Sequence, residues 1–234
     1  WIYGKEAIKL KEENKAQVIT NLLDKIIKGN RIKIYGNLYE PIYLVERFIY
    51  KVLMELKFKW PDQSIKQIVV TIKKTNSSII NALYQILENL GINRDRARVI
   101  SYPSSYLSYV LNQDKEIWMN DVALFDFDEE GFTYSQLSLE KRRLPYLTKI
   151  RSKDYSDMFN HDEFNNIKKS DNFEYILENI INDALYKQIV SSIYFTGKGF
   201  RDGISDETIK KISKGRRIFI GQNLHCKGAC YFAG

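Results

Sequence analysis

Asp126 has the clearest setting for chemistry. It closes the apolar run Val122, Ala123, Leu124, Phe125, which is long enough for a buried strand. Behind it come Phe127, Asp128, Glu129, Glu130 and Gly131, an acidic turn of the kind that joins two hairpin strands. A buried strand that delivers one carboxylate to a turn can hold a metal-bound phosphate. The same residues also describe an ordinary hairpin with a solvated acidic tip, and both readings stand on this stretch. A second candidate is Gly197-Lys198-Gly199, a glycine turn directly after the apolar run SIYFT. A third is His225 with Cys226 and Cys230. Imidazole and thiolate suit zinc, but three neighbouring candidates on one helix rarely close a tetrahedral site, and there is no second cysteine pair. Buried free thiols are the expectation there.

The elements that must carry these residues follow from apolar spacing. Helices are predicted over 40–58, 77–90, 103–111, 172–190, 205–212 and 223–232, each with apolar residues three and four apart. Residues 14–28 form a weaker amphipathic stretch that Gly29 stops. Pro41 suits a first helical turn, and Gly91 caps the helix before it. Strands are predicted over 32–35, 67–72, 97–101, 122–126, 132–139, 142–150, 192–196 and, at an edge, 216–220. Residues 2–11 read as an apolar turn followed by a basic run, and 153–170 as a loop or linker. Strands alternating with helices predict an α/β fold with a substantially parallel sheet.

Composition sets the bounds. With 234 residues, 44% of them hydrophobic and 13% aromatic, the chain can bury a substantial core and is not of the disordered class. Net charge is +7, from 36 basic and 29 acidic residues. The densest cations are Lys141, Arg142 and Arg143, then Lys210, Lys211, Lys214, Arg216 and Arg217. Without an RNA-binding or helix-turn-helix signature they read as solvated faces, and nucleic acid is not the expected partner. Two cysteines fit a reducing compartment, hence the cytoplasm. No apolar run reaches the ~20 residues of a membrane helix, and no signal peptide is visible. A chain that opens on Trp1 and closes on Gly234 is expected to be a piece of a longer one.

In order, these signals resemble the actin and Hsp70 superfamily of ATPase folds. IYGKEA, residues 2–7, resembles the family's Gly-x-x-Ala segment. KIIKG, residues 25–29, resembles the Hsp70 segment whose first lysine sits near the transferred phosphate. QIVVTI with the helix over 77–90 and LGINRDRARVISYPSSYLSYVL resembles the stretch that crosses between two lobes. VALFD resembles the second phosphate strand, IYFTGKGF the adenosine strand and its glycine turn, and NLHCKGACYFAG the helix that follows. GKGF with QNLHCKGACY looks most like a bacterial branch of this superfamily. The resemblance covers nearly the whole chain through the order of its motifs.

It implies a two-lobed, ribonuclease H-like ATPase fold, with a first lobe over 1–111 and a reduced second lobe over 112–234. The first phosphate hairpin would precede Trp1, and the C-terminal part would follow Gly234. It implies ATP or ADP with magnesium as cofactor, Lys25 and Asp126 as catalytic residues, Asp126 reaching the metal through water, and Gly197, Lys198 and Gly199 at the nucleotide. The departures are specific. Where the family reads Asp-x-Gly-Gly-Gly-Thr, this chain reads Asp126, Phe127, Asp128, Glu129, Glu130, Gly131. Tyr102 replaces an acidic residue before the proline. Bare glycines let backbone N–H groups approach phosphate, whereas carboxylates repel it. The expectation is therefore a relative with weak or lost nucleotide binding that acts as a scaffold or interaction module with a protein partner. An ATP-hydrolysing chaperone-like or filament-forming protein is the alternative, and a basic nucleic-acid-binding domain the second alternative.

Overall fold

In the computed structural model, which describes residues 1–128, 130–142, 144–159, 172–201 and 203–234, the β-branched runs nucleate separate sheets. The chain forms two compact units, Trp1–Ser101 with Ala233 and Tyr102–Phe232 with Gly234. Each is α/β.

The first unit runs α1 (Gly4–Glu12), α2 (Leu22–Lys28), β1 (Ile32–Ile34), β2 (Asn37–Tyr39), α3 (Pro41–Lys59), β3 (Ile68–Ile72), α4 (Ser77–Asn89) and β4 (Ala97–Ser101). β3 and β4 pair in parallel, with Ile68 opposite Ala97. The connection between them is α4, which buries Ile79, Leu83, Ile86 and Leu87. Asn76 caps α4 by accepting the Ser78 N–H at 2.8 Å, one of the orphan donors of a helix start. Three elements differ from expectation. The basic run after Gly4 is helical. The amphipathic stretch over 14–28 is helical only from Leu22. The strand over 32–35 is half of a hairpin, whose turn holds Tyr35 and Gly36 at φ 46 and 88.

The second unit runs α5 (Tyr102–Leu111), β5 (Asp121–Asp128), β6 (Gly131–Glu140), β7 (Leu147–Asp154), α6 (Phe173–Ala184), β8 (Val190–Thr196), α7 (Asp206–Ser213), β9 (Arg217–Ile220) and α8 (Leu224–Ala233). Helix α5, read above with the first lobe, packs here through Tyr106 and Val110. The sheet order is β7-β6-β5-β8-β9. β5, β8 and β9 are parallel, but β6 and β7 are antiparallel, so the sheet is mixed rather than substantially parallel. No helix separates β5, β6 and β7, and short links allow only antiparallel neighbours. The pairing of VALFD with SIYFT is present, with Ala123 opposite Ile193 and Asp126 opposite Thr196.

The helix predicted over 172–190 stops at Ala184, and Lys187 takes a left-handed φ of 56, which frees Val190 to start a strand. The last strand before it lies at 147–154 instead of 142–150. Most of the loop predicted over 153–170 lies outside the described residues, as do Glu129 and Arg143. Among the described residues, no helix is long and apolar enough to cross a membrane.

Alternation along β5 sorts its side chains. Ala123, Phe125 and Phe127 join a core with α6 and α7 that includes Phe132, Phe173, Phe195 and Phe200. Val122 and Leu124 join the opposite core with α5 and α8, which includes Tyr106, Tyr194 and Leu224. Asp126 shares the register of Val122 and Leu124, so the strand's period of two aims it at the α5 and α8 side.

Candidate functional site

Asp126 sits where the parallel pairing of β5 with β8 ends, opposite Thr196, the position at which open α/β sheets present groups to ligands. It is 7% exposed. Its Oδ2 lies 3.6 Å from Nε2 of His225, in the first turn of α8, which is longer than a hydrogen bond. Among the described residues, neither ring nitrogen of His225 has a hydrogen-bond partner, although both are buried. Tyr102, the first residue of α5, stacks on this imidazole with ring centroids 3.8 Å apart and an interplanar angle of 19°. Three elements far apart in sequence thus bring a carboxylate, an imidazole and a phenol together. The surroundings are acidic. Burial, and after it the negative charges of Asp126 and Asp128, push the Tyr102 hydroxyl up to about 12.

The hairpin tip is built by its own carboxylate. Asp128 stands opposite Gly131, leaving a two-residue turn, and its Oδ1 accepts the Glu130 N–H at 2.7 Å. Gly131 follows at φ 139, and a Cβ there would fall 2.1 Å from Ser156 Oγ. That hydroxyl accepts the Phe132 N–H at 3.0 Å.

The glycine turn meets the same strand end. Gly197 has φ 95, and a Cβ on it would lie 2.2 Å from the Phe127 carbonyl oxygen and 2.7 Å from Asp126 Oδ1. A Cβ on Gly199 would lie 2.0 Å from the Phe127 ring. Both glycines are thus accounted for by close approach to β5. Gln222 holds the turn from outside by donating to the Gly197 carbonyl at 2.8 Å. A Cβ on Gly228 of α8 would lie 1.9 Å from the Ser105 carbonyl oxygen, which brings α8 against α5 and seats His225 on Tyr102.

Asp126 and Gly197 are therefore brought together, with Lys198 and Gly199 in the following 3-10 turn. Lys25 belongs to the first unit, in the last turn of α2, where it is half-buried. Cys226 and Cys230 form no disulfide, but both are exposed rather than buried. Leu224, Gly228 and Ala229 take the inner face of α8 and leave positions 226 and 230 outside. Among the described residues, no three His, Cys, Asp or Glu side chains form a group that could hold a metal.

Several cations of the basic clusters are engaged within the fold. Lys141 donates to the carbonyls of Trp118 and Met119, both at 2.7 Å. Lys211 pairs with Glu178 and Glu207, and Arg217 with Glu116. The residues missed from sequence are Tyr102 as a ring partner, His225 as a neighbour of Asp126, and Gln222. His225 stands out in the sequence as one of two histidines and as a neighbour of Cys226, but nothing there ties it to Asp126.

The whole chain, residues 1–234, matches a family described as a family of unknown function (DUF5716), C-terminal. The chain belongs to this family. No curated protein matches it. In this DUF5716 C-terminal chain, Asp126 and the hairpin tip built by Asp128 lie at the same end of β5.

Proposed function

We propose that the chain is an interaction module of actin- and Hsp70-like design, two-lobed, with weak or lost nucleotide binding. The observation that carries this reading is the hydrogen bond from the Glu130 N–H to Asp128 Oδ1. A phosphate loop needs its backbone N–H groups open toward the ligand. Here one of them is taken by a carboxylate, and the turn carries further negative charge. Phosphoryl transfer depends on stabilising negative charge on the transferred oxygens, and a carboxylate in that place acts in the opposite sense. The donor set does not fit a polyphosphate. Close packing against Phe127 accounts for Gly197 and Gly199 without a ligand. The proposal takes the cytoplasm as its compartment, supported by two cysteines that form no disulfide.

A working ATPase is the second reading, and Asp126 is the observation that favours it. Its side chain is 10% exposed, and its Oδ2 lies 3.6 Å from His225 Nε2. Under that reading Lys25 would face the terminal phosphate, Asp126 would orient magnesium or water, and Gly197, Lys198 and Gly199 would meet the nucleotide. Thermal unfolding with and without magnesium-ATP separates the two. Ligand at 100 times its dissociation constant stabilises by roughly 2.7 kcal/mol. The interaction-module reading expects no such shift, and expects one to emerge when Asp128, Glu129 and Glu130 are replaced by glycine. A parent chain that is stabilised to this extent, with a glycine variant that does no better, overturns it.

A further inference from the structure

Helix α3 leaves most of its apolar surface uncovered. Its buried residues, Pro41, Leu44 and Val45, all lie in the first two turns. Farther along, Phe48, Tyr50, Val52, Met54, Leu56 and Phe58 are each more than a third exposed. The second half of α3, the segment from Trp60 to Ile65 and the end of α4 enclose a groove of about 690 Å³. Leu53, Leu90 and Ile92 contribute apolar surface to it. Lys57 and Arg96 supply charge, and no carboxylate lines it. Lys59 adds a third cation, with its ammonium 4.6 Å from the centroid of Trp60. Arg96 is held in place by donating to the carbonyls of Gly91 at 3.1 Å and Ile65 at 3.4 Å. The surrounding unit is strongly basic. Residues 1–101 carry 18 Lys and Arg against 10 Asp and Glu, a balance of +8.

We propose that this groove receives an acidic, amphipathic helix of a protein partner. Rows of apolar side chains at helical spacing in a concave site are the receiving half of helix-in-groove recognition. The three cations select glutamate or aspartate beside the partner's apolar anchors, and the absence of a carboxylate means that such a partner meets no opposing charge in the lining. Single-stranded nucleic acid is a poorer fit, because it needs open aromatic faces for stacking. Both aromatic rings in the lining already carry a cation over one face, Trp60 from Lys59 and Tyr50 from Arg47 at 5.8 Å. The inference rests on the interaction-module reading and adds the chemistry of the partner.

The test is fluorescence polarisation of a short labelled peptide with leucine or phenylalanine at i, i+4 and i+7 and glutamate elsewhere. Saturable binding to the 234-residue chain is expected. Leu56→Glu weakens it at least about tenfold, the loss of one interface anchor. Lys57→Glu combined with Lys59→Glu weakens it comparably at low salt, and a peptide with lysine in place of glutamate regains that affinity. All these sites are exposed, and unchanged melting temperatures check the fold. Equal binding of the acidic and basic peptides, or binding that survives both variants, overturns the proposal. So does a chain that associates with itself through Leu56, or an oligothymidine that displaces the peptide and is lost in the same variants. Chains indifferent to both magnesium-ATP and peptide sink the groove alone. Chains stabilised by magnesium-ATP that still bind the peptide sink the functional reading and leave the groove standing.

Discussion

The phenylalanines around β5 in the second unit and the aromatic residues at α3 in the first are put to opposite uses. In the second, Phe125, Phe127, Phe132, Phe173, Phe195 and Phe200 are all buried, in one cluster behind the end of β5. Ring centroids there lie 5.4 Å apart for Phe127 and Phe132, and 5.6 Å for Phe127 and Phe173. In the first, Phe48, Tyr50, Phe58 and Trp60 are exposed. Charge divides the same way. Residues 102–234 carry 18 basic and 19 acidic side chains, a balance of −1 against the +8 of residues 1–101. The overall +7 therefore describes neither unit. The dense cation runs at Lys141 and Lys210 both lie in the unit without a positive balance. The second unit buries its rings around β5, and the first leaves rings at α3 exposed.

The largest effect that separates the units is on stability. Phe132→Ala, at a fully buried ring, should cost about 3–5 kcal/mol in urea unfolding, while Phe48→Ala on α3 should cost less than about 1. Equal costs would mean that α3 is covered in solution, and the contrast would collapse.

Next come the glycines that bring the turn onto β5. Gly199→Ala must displace the Phe127 ring and should cost about 1–3 kcal/mol. Gly221→Ala meets nothing within 4 Å and should stay within about 0.5 kcal/mol of the parent. If Gly199→Ala is as silent as Gly221→Ala, close packing is not the reason for that glycine.

The last effect is alkaline and is read as a slope against pH. Burial raises the hydroxyls of Tyr102, Tyr106, Tyr134 and Tyr194 in the second unit. Their neutral forms are favoured in the fold, while an unfolded tyrosine ionises near pH 10. Stability is therefore intact below about pH 10 and falls as pH rises, for Tyr102 up to about 12. Melting temperatures followed across that window should decline, and Tyr102→Phe should flatten the slope. An unchanged slope removes Tyr102 from the buried set.

Much of this architecture was legible in the sequence. The helices α3 and α4 follow from apolar residues at helical spacing, and β5 and β8 from short apolar runs. What failed did so for physical reasons. Helix α1 has so mixed a composition that its basic residues hid it. The turn of the β1–β2 hairpin was readable from Gly36, since a two-residue turn of positive φ favours glycine. Strand and helix alternation dominates the chain and predicts a parallel sheet, yet it is interrupted at β5, β6 and β7. The buried strand that carries Asp126 was readable, but it does not end there: Phe127 and Asp128 continue it, paired with Phe132 and Gly131. The imidazole beside Asp126 was not readable, because 99 positions separate Asp126 from His225 and only the packing of α8 on α5 joins them.

Strand β7 has a further consequence. Among the described residues it forms one free margin of the sheet, and it is eight residues long, enough to template another chain's backbone. Lys149, Arg151 and Lys153 recur along it at every second position. Pairing two such margins would bring like charges face to face, which is how natural sheets discourage edge-to-edge aggregation. The opposite margin, β9, is only four residues long and opens on Arg217. Both borders of the sheet are thus guarded against runaway polymerisation, one by repulsion and the other by brevity.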